Sequence, residues 1–379
     1  MNEMEVGSST LDYEDIEQFQ NEAKESLKKA NGSLRKLFKD AINKNGIQGM
    51  HDVLKHELNR WKDVKLNIAI TGAAGTGKSS LINTLRGIRP SHPLAAKVGV
   101  DETTLQPTPY PHPQYDNVVY WDLPGVGTLK FKKDTYVEKT DLDKYDLFII
   151  VGCGRFTEND AWLASEVFKI DRQVYIVRTK IDIDMQNEMS DYAERFQKKV
   201  VMEKIRQSTT ANMEKLADEM HLKKAVVEKI PIFLISTKLH DVKKYDFEDL
   251  QKTMTDEIPD IKKEAMVMAL STLTLSAIDE KMKVIKERFQ KMWGAITVAL
   301  CIPGINILSL FFVEGILDNE MNMYRQQLGI DDESIIQRNI DVNNLDLQMT
   351  PTSKWKQFFN TRSVLKNILF KHNFLCNGK

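Results

Sequence analysis

The sequence predicts an α/β domain with a mainly parallel sheet, together with an all-α helical domain built from N- and C-terminal segments. Between about residues 63 and 253, short apolar runs alternate with helical stretches, the pattern of parallel strands joined by right-handed crossovers. The first of these runs ends in a glycine-rich turn that opens a helix. On either side of this region the short runs stop and helical spacing takes over. The expected organisation is therefore an N-terminal helical segment, 1–62, an α/β domain, 63–253, and a C-terminal helical segment, 254–379, packing with the N-terminal helices. A chain of 379 residues has room for about two domains.

In chain order, Ile16, Phe19 and Ala23 keep helical spacing, as do Leu34, Leu37, Phe38 and Ile42. Asn31-Gly32-Ser33 supplies a break and a cap between them. Val53, Leu54, Leu58 and Trp61 form a third apolar set. Strands are expected at 66–71, 118–123, 147–152, 174–179 and 230–236. Residues 259–292, polar and rich in Lys, Met and Ala, suit one long helix. Residues 294–317 are almost wholly apolar and long enough to cross a bilayer. However, Pro303-Gly304 interrupts them, Glu314 sits inside, and no second span exists. A buried pair of helices is expected there, with peripheral membrane contact as the alternative. Gly329 to Ser334 suits a helix stop and a new start. The tail carries Lys354, Trp355, Lys356, Phe358, Phe359, Arg362, Lys366 and Lys371. It could lie on an anionic surface or form a solvated face.

Charge and cysteine content narrow the functional classes. Fifty-three basic residues face 54 acidic ones, a net charge of −1, so nothing in the balance favours nucleic acid. Cys153, Cys301 and Cys376 are few, odd in number and far apart, without metal-ligand spacing or a disulfide framework. The N-terminus is acidic and lacks the apolar core of a secretory signal, and no glycine follows Met1. A cytoplasmic protein is expected.

Gly72-Ala73-Ala74-Gly75-Thr76-Gly77-Lys78-Ser79 fits G-x-x-x-x-G-K-[ST] in full. Glycines let backbone N–H groups turn inward around phosphate oxygens, and the following helix presents its positive end to them. Gly72, Gly75, Thr76, Gly77, Lys78, Ser79 and Ser80 are thus phosphate-binding candidates. Lys78 would reach the β- and γ-phosphates, and the Ser79 hydroxyl would ligate Mg²⁺.

Three further motifs follow. Asp122-Leu123-Pro124-Gly125 closes a strand with D-x-P-G. Its aspartate can hold a metal-bound water in the crevice above the sheet. The Gly125 N–H can bond a γ-phosphate and lose that bond on hydrolysis. Thr179-Lys180-Ile181-Asp182 is T-K-x-D. The Asp182 carboxylate can accept guanine N1–H and the 2-amino group, a pair that adenine lacks, so the site would reject adenine strongly. The Lys180 stem can lie against the base. Ser236-Thr237-Lys238 ends another strand, and its backbone N–H groups could bond guanine O6. The ligands expected are therefore GTP or GDP with Mg²⁺. Between helix and D-x-P-G, Thr103 and Thr104 are both candidates to complete the Mg²⁺ shell. Val126 follows D-x-P-G where Ras-like proteins place a water-orienting Gln nearby, so slow hydrolysis by the isolated chain is expected.

The whole set resembles the immunity-related GTPases, the interferon-inducible p47 family, over about residues 50–340. The resemblance rests on Ile82-Asn83-Thr84-Leu85-Arg86-Gly87, Val98 to Thr104, Trp121 to Gly127, Arg155 to Ala161, Val177 to Asp182 and Leu328 to Asp332. It implies a P-loop GTPase of the effector type, since Lys78 stands where the regulatory subgroup has methionine. It also implies slow hydrolysis, dimerisation or further assembly through the nucleotide domain in the GTP state, and action at membranes of vacuoles that enclose pathogens. Peripheral association with intracellular membranes would follow. By the same resemblance Thr104, with Ser79 and Asp122, would hold Mg²⁺. Glu102 would serve the dimer interface and activation, although a solvated loop charge is an equal reading. Val98 stands where many effectors carry threonine, and the tail after residue 340 matches poorly.

Overall fold

The computed structural model describes residues 32–99, 106–127, 131–219, 230–238, 240–300 and 311–328. The chain divides into two compact units. One is Trp61–Glu280, and the other joins residues 1–60 to 281–379. The described strands are β1 (Leu66–Thr71), β2 (Thr108–Pro111), β3 (Val118–Asp122), β4 (Leu147–Gly152), β5 (Gln173–Arg178) and β6 (Ile232–Leu234). The described α-helices are α1 (Gly32–Asn59), α2 (Lys78–Leu85), α3 (Lys133–Thr140), α4 (Glu158–Lys169), α5 (Ile181–Asp191), α6 (Lys198–Glu219), α7 (Phe247–Glu257), α8 (Asp260–Ala269), α9 (Leu275–Leu300) and α10 (Phe311–Leu328).

The strands form one sheet in the order β2-β3-β1-β4-β5-β6. Every pairing is parallel except β2 with β3, so the mainly parallel α/β expectation holds. All but one residue in each of β1 and β4 is buried, because covered parallel strands need apolar side chains on both faces. On one side Ala69, Phe148, Ile150 and Ile176 pack with Leu163, Ala164 and Val167 of α4, with Tyr136 of α3, and with Met213 and Ala217 of α6. Each such large side chain contributes roughly 1.5–3 kcal/mol by leaving water.

The edge strand β2 was not expected. Its sequence, Thr-Pro-Tyr-Pro, carries two prolines, which cannot donate to a ladder and are tolerated only at a sheet edge. The single helix expected over 259–292 is two helices, α8 and α9. Leu270 leaves the helical region at φ −60°, ψ 136°. Thr274 then starts the next helix, with its hydroxyl oxygen accepting from Ala277 N at 3.2 Å. Composition alone hid this hydroxyl cap.

In the other unit, α1 is interrupted at Asn45 and Gly46, the latter at φ 62°. The break falls between the apolar set ending at Ile42 and the one starting at Val53. The described part of α9 in this unit packs antiparallel to α10 through two polar rungs. Arg288 pairs with both oxygens of Glu320 at 2.8 Å and donates to the Leu58 carbonyl. Seven residues away, Lys281 donates to Gln327, and burial pushes its ammonium pKa down to about 7. No helix among the described residues is long and apolar enough to cross a membrane. Residues 301–310, the helix start expected near 329–334 and the basic tail lie outside the described residues.

Candidate nucleotide site

The sheet brings the motifs to one edge. Ile70 lies beside Asp122, Thr71 beside Ile150, Gly152 beside Arg178, and Arg178 beside Leu234. The carboxyl ends of β3, β1, β4, β5 and β6 therefore point the same way. The loops that follow, including 72–77, 122–125, 179–182 and 236–238, emerge together at the crevice where open α/β sheets bind ligands.

The phosphate loop needs its glycines. Gly72, Gly75 and Gly77 have φ of 142°, 74° and 91°, values that side chains disfavour. A Cβ on Gly72 would sit 2.0 Å from the Val151 carbonyl oxygen, and one on Gly77 would sit 3.4 Å from Thr179 Oγ1. Gly77 starts α2 without a side-chain cap, so the first N–H groups of that helix, at Lys78, Ser79 and Ser80, suit an anion. Lys78 Nζ donates to the carbonyls of Gly72 and Ala73 at 3.0 and 3.1 Å and so arches over the loop. The buried Thr76 hydroxyl closes the loop by donating to the Ala73 carbonyl at 2.9 Å.

D-x-P-G lies against this loop. Asp122 is buried at the end of β3, and a Cβ on Gly125 would come within 3.2 Å of the Gly72 carbonyl oxygen. The Pro124 carbonyl accepts from Tyr136 Oη at 2.9 Å and from Thr71 Oγ1 at 3.3 Å. Asn159 Nδ2 donates to the Val126 carbonyl at 3.0 Å, which ties the following residue to the start of α4.

The third and fourth loops carry the base-reading candidates. Buried Thr179 reaches the phosphate loop through its hydroxyl, which donates to the Thr76 carbonyl. Lys180 adopts φ 60° before α5, and its side chain is exposed. The Asp182 carboxylate is 6 % exposed and lies 2.6 Å from Lys238 Nζ. Burial works against its charge, but the Lys238 ammonium and the Ser236 hydroxyl beside it hold its pKa below the usual carboxylate range. Ser236 is fully buried. The Thr237 carbonyl accepts from Thr84 Oγ1 at 3.4 Å, which links this loop to α2. Lys78, Ser79, Asp122, Gly125, Thr179, Asp182, Ser236, Thr237 and Lys238 thus belong to one edge of one sheet. Glu102, Thr103 and Thr104 lie outside the described residues.

Several supporting residues were not singled out for these roles from sequence. Thr71 and Tyr136 hold the Pro124 carbonyl, and Asn159 holds that of Val126. Asn83 exchanges two hydrogen bonds with the Ala96 backbone, at 2.9 and 2.7 Å. Arg86 is buried and donates to the carbonyls of Leu94 and Pro111, which anchors the segment leading toward residue 100. Only Asn83, Arg86 and Asn159 stand inside the family-like motifs. Nothing local marked Tyr136.

Comparison with known proteins finds relatives over most of the chain. The model of the interferon-inducible GTPase (IIGP) family matches residues 32–371. Mouse T-cell-specific guanine nucleotide triphosphate-binding protein 2 is 35% identical over 300 residues, covering 79% of this chain and 69% of that protein. Mouse interferon-inducible GTPase 1 is 34% identical over 299 residues, covering 79% and 70%. Among solved structures, the LeoA bacterial dynamin GTPase aligns with 73% of this chain and 49% of its own at 15% identity and a TM-score of 0.39.

Proposed function

Because the chain belongs to the interferon-inducible GTPase family, we propose that it hydrolyses GTP slowly, is activated by GTP-dependent self-assembly, and acts at membranes of vacuoles that enclose intracellular pathogens. That it is a GTPase with an immunity-related role follows from the family itself. The finer reading rests on the residues.

Guanine would be read by Asp182, whose buried carboxylate accepts N1–H and the 2-amino group. Thr179 and the exposed Lys180 would frame the base, and the backbone N–H groups of 236–238 would meet O6. The phosphates would lie in the 72–80 cradle, with Lys78 on the β- and γ-phosphates. Among the described residues no cluster of three or more His, Cys, Asp or Glu could hold a metal by itself. Mg²⁺ would instead share phosphate oxygens with the hard oxygen donors Ser79, Asp122 and Thr104, and would supply charge neutralisation there. Gly125 would donate its N–H to the γ-phosphate. Its backbone already packs against the phosphate loop and is held through the neighbouring Pro124 carbonyl. Glu102 would act at the dimer interface.

The observation that carries the reading is the convergence of Lys78, Asp122 and Asp182 at one sheet edge. No glutamine follows D-x-P-G at 126, so a water-orienting or charge-stabilising group must come from elsewhere. A second copy of the chain, docked through the nucleotide domain, supplies it in this account. Single-turnover GTP hydrolysis at rising protein concentration tests the proposal. The rate per subunit should climb with concentration. A flat, negligible rate would favour the alternative, a GTP-binding switch that recruits partners with little hydrolysis of its own.

A further inference from the structure

We propose that Lys238 competes with guanine for Asp182: the ammonium and the base claim the same carboxylate, so guanine nucleotides bind only after that ion pair opens. The proposal rests on the assignment of Asp182 to guanine.

The geometry makes the two contacts rivals. Lys238 Nζ stands 2.6 Å from Asp182 Oδ2. A guanine base presents two parallel N–H donors, N1–H and the 2-amino group, which require both oxygens of the carboxylate in its plane. Fully buried Ser236 lies beside Asp182, and the carboxylate is only 6 % exposed. Few directions of approach therefore remain, and the ammonium occupies one of them.

The loop is built to bring Lys238 there. Its backbone N–H donates to Ser236 Oγ at 3.3 Å, which curls residues 236–238 onto Asp182. Thr84 Oγ1 on the phosphate-loop helix lies 3.4 Å from the Thr237 carbonyl. Lys238 itself is half exposed, so its ammonium can return to water when the base arrives, whereas Asp182 cannot. Each partner favours the other's charged form, so the pair persists at neutral pH. An ion pair with one exposed partner is modest, and it lowers apparent affinity by the fraction of molecules in which it is closed. The expected handicap is roughly three- to tenfold.

The test is titration of the full-length chain with a fluorescent GDP analogue, comparing wild type with K238M, which keeps the stem and removes the charge. K238M should bind roughly three- to tenfold tighter. An unchanged or weaker affinity would overturn the proposal, since it would mean that Lys238 is neutral toward the base or supports it. The Asp182→Asn variant separates this from the reading beneath it. Its amide donates where the carboxylate accepted, so it should trade guanine for xanthine nucleotides. If D182N bound GDP as wild type does, the guanine assignment itself would fall. In the D182N background, K238M should have no effect on binding of a fluorescent xanthosine diphosphate. Tightening there would show that the lysine acts elsewhere and would also overturn the proposal.

Discussion

Gly72 concentrates the chemistry of the site in one backbone position. Its φ of 142° and the 2.0 Å approach of a hypothetical Cβ to the Val151 carbonyl leave no room for a side chain. Gly72→Ala must therefore push the phosphate loop away from β4. Nucleotide affinity should fall by at least about tenfold, with a lower melting temperature in thermal unfolding, because strain at such positions costs roughly 1–3 kcal/mol. The segments that converge at this sheet edge were legible in the sequence for a physical reason. Phosphate and guanine recognition use short, contiguous segments whose chemistry is local, so 72–79 and 179–182 announce themselves. Thr71, Tyr136 and Arg86 act through contacts with residues 53, 12 and 25 positions away. No spacing rule reveals such a partner before the fold exists.

Strands and helices were legible where the apolar pattern was strong. β1 and β4 have the expected ends because a covered parallel strand is mostly apolar. β6 is shorter than expected, and β2 was missed because its prolines suit only an edge. At this scale α4 makes a specific link to the site. Thr157 and Asp160 form a capping box: Asp160 Oδ2 accepts from Thr157 N at 2.9 Å, and Thr157 Oγ1 accepts from Asp160 N at 3.3 Å. The box fixes the turn that carries Asn159 to the Val126 carbonyl. Thr157→Ala should cost roughly 1 kcal/mol of stability, the usual value of a lost N-cap. It should slow hydrolysis more than it weakens GDP binding, because the loosened segment follows Gly125 and not the loops proposed to read the base. Measurements of single-turnover rate and GDP affinity on the same variant separate the two effects.

The molecule as a whole is two units with different internal logic. Trp61–Glu280 is held by an apolar sheet core, whereas the helical unit fixes its register with buried polar rungs. Arg288 is 1% and Glu320 9% exposed on their side chains, and Tyr324 Oη also donates to Glu320 at 2.7 Å. Removing the carboxylate leaves a guanidinium buried without its counter-charge, so Glu320→Ala should destabilise this unit by roughly 3–5 kcal/mol in chemical denaturation. GDP affinity should change little, because Glu320 belongs to the helical unit. The rungs were not legible beforehand. Charged residues at helical spacing read as a solvated face until a second helix is placed against them.

The proposed function requires one sheet edge to hold the triphosphate at Lys78 and the purine at Asp182. A crystal structure with a non-hydrolysable GTP analogue and Mg²⁺ tests it most directly. Guanine N1 and the 2-amino group should lie on the Asp182 carboxylate, with the β- and γ-phosphates against Lys78 and the N-terminus of α2. A base seated away from Asp182, or phosphates bound outside the 72–80 loop, would contradict it.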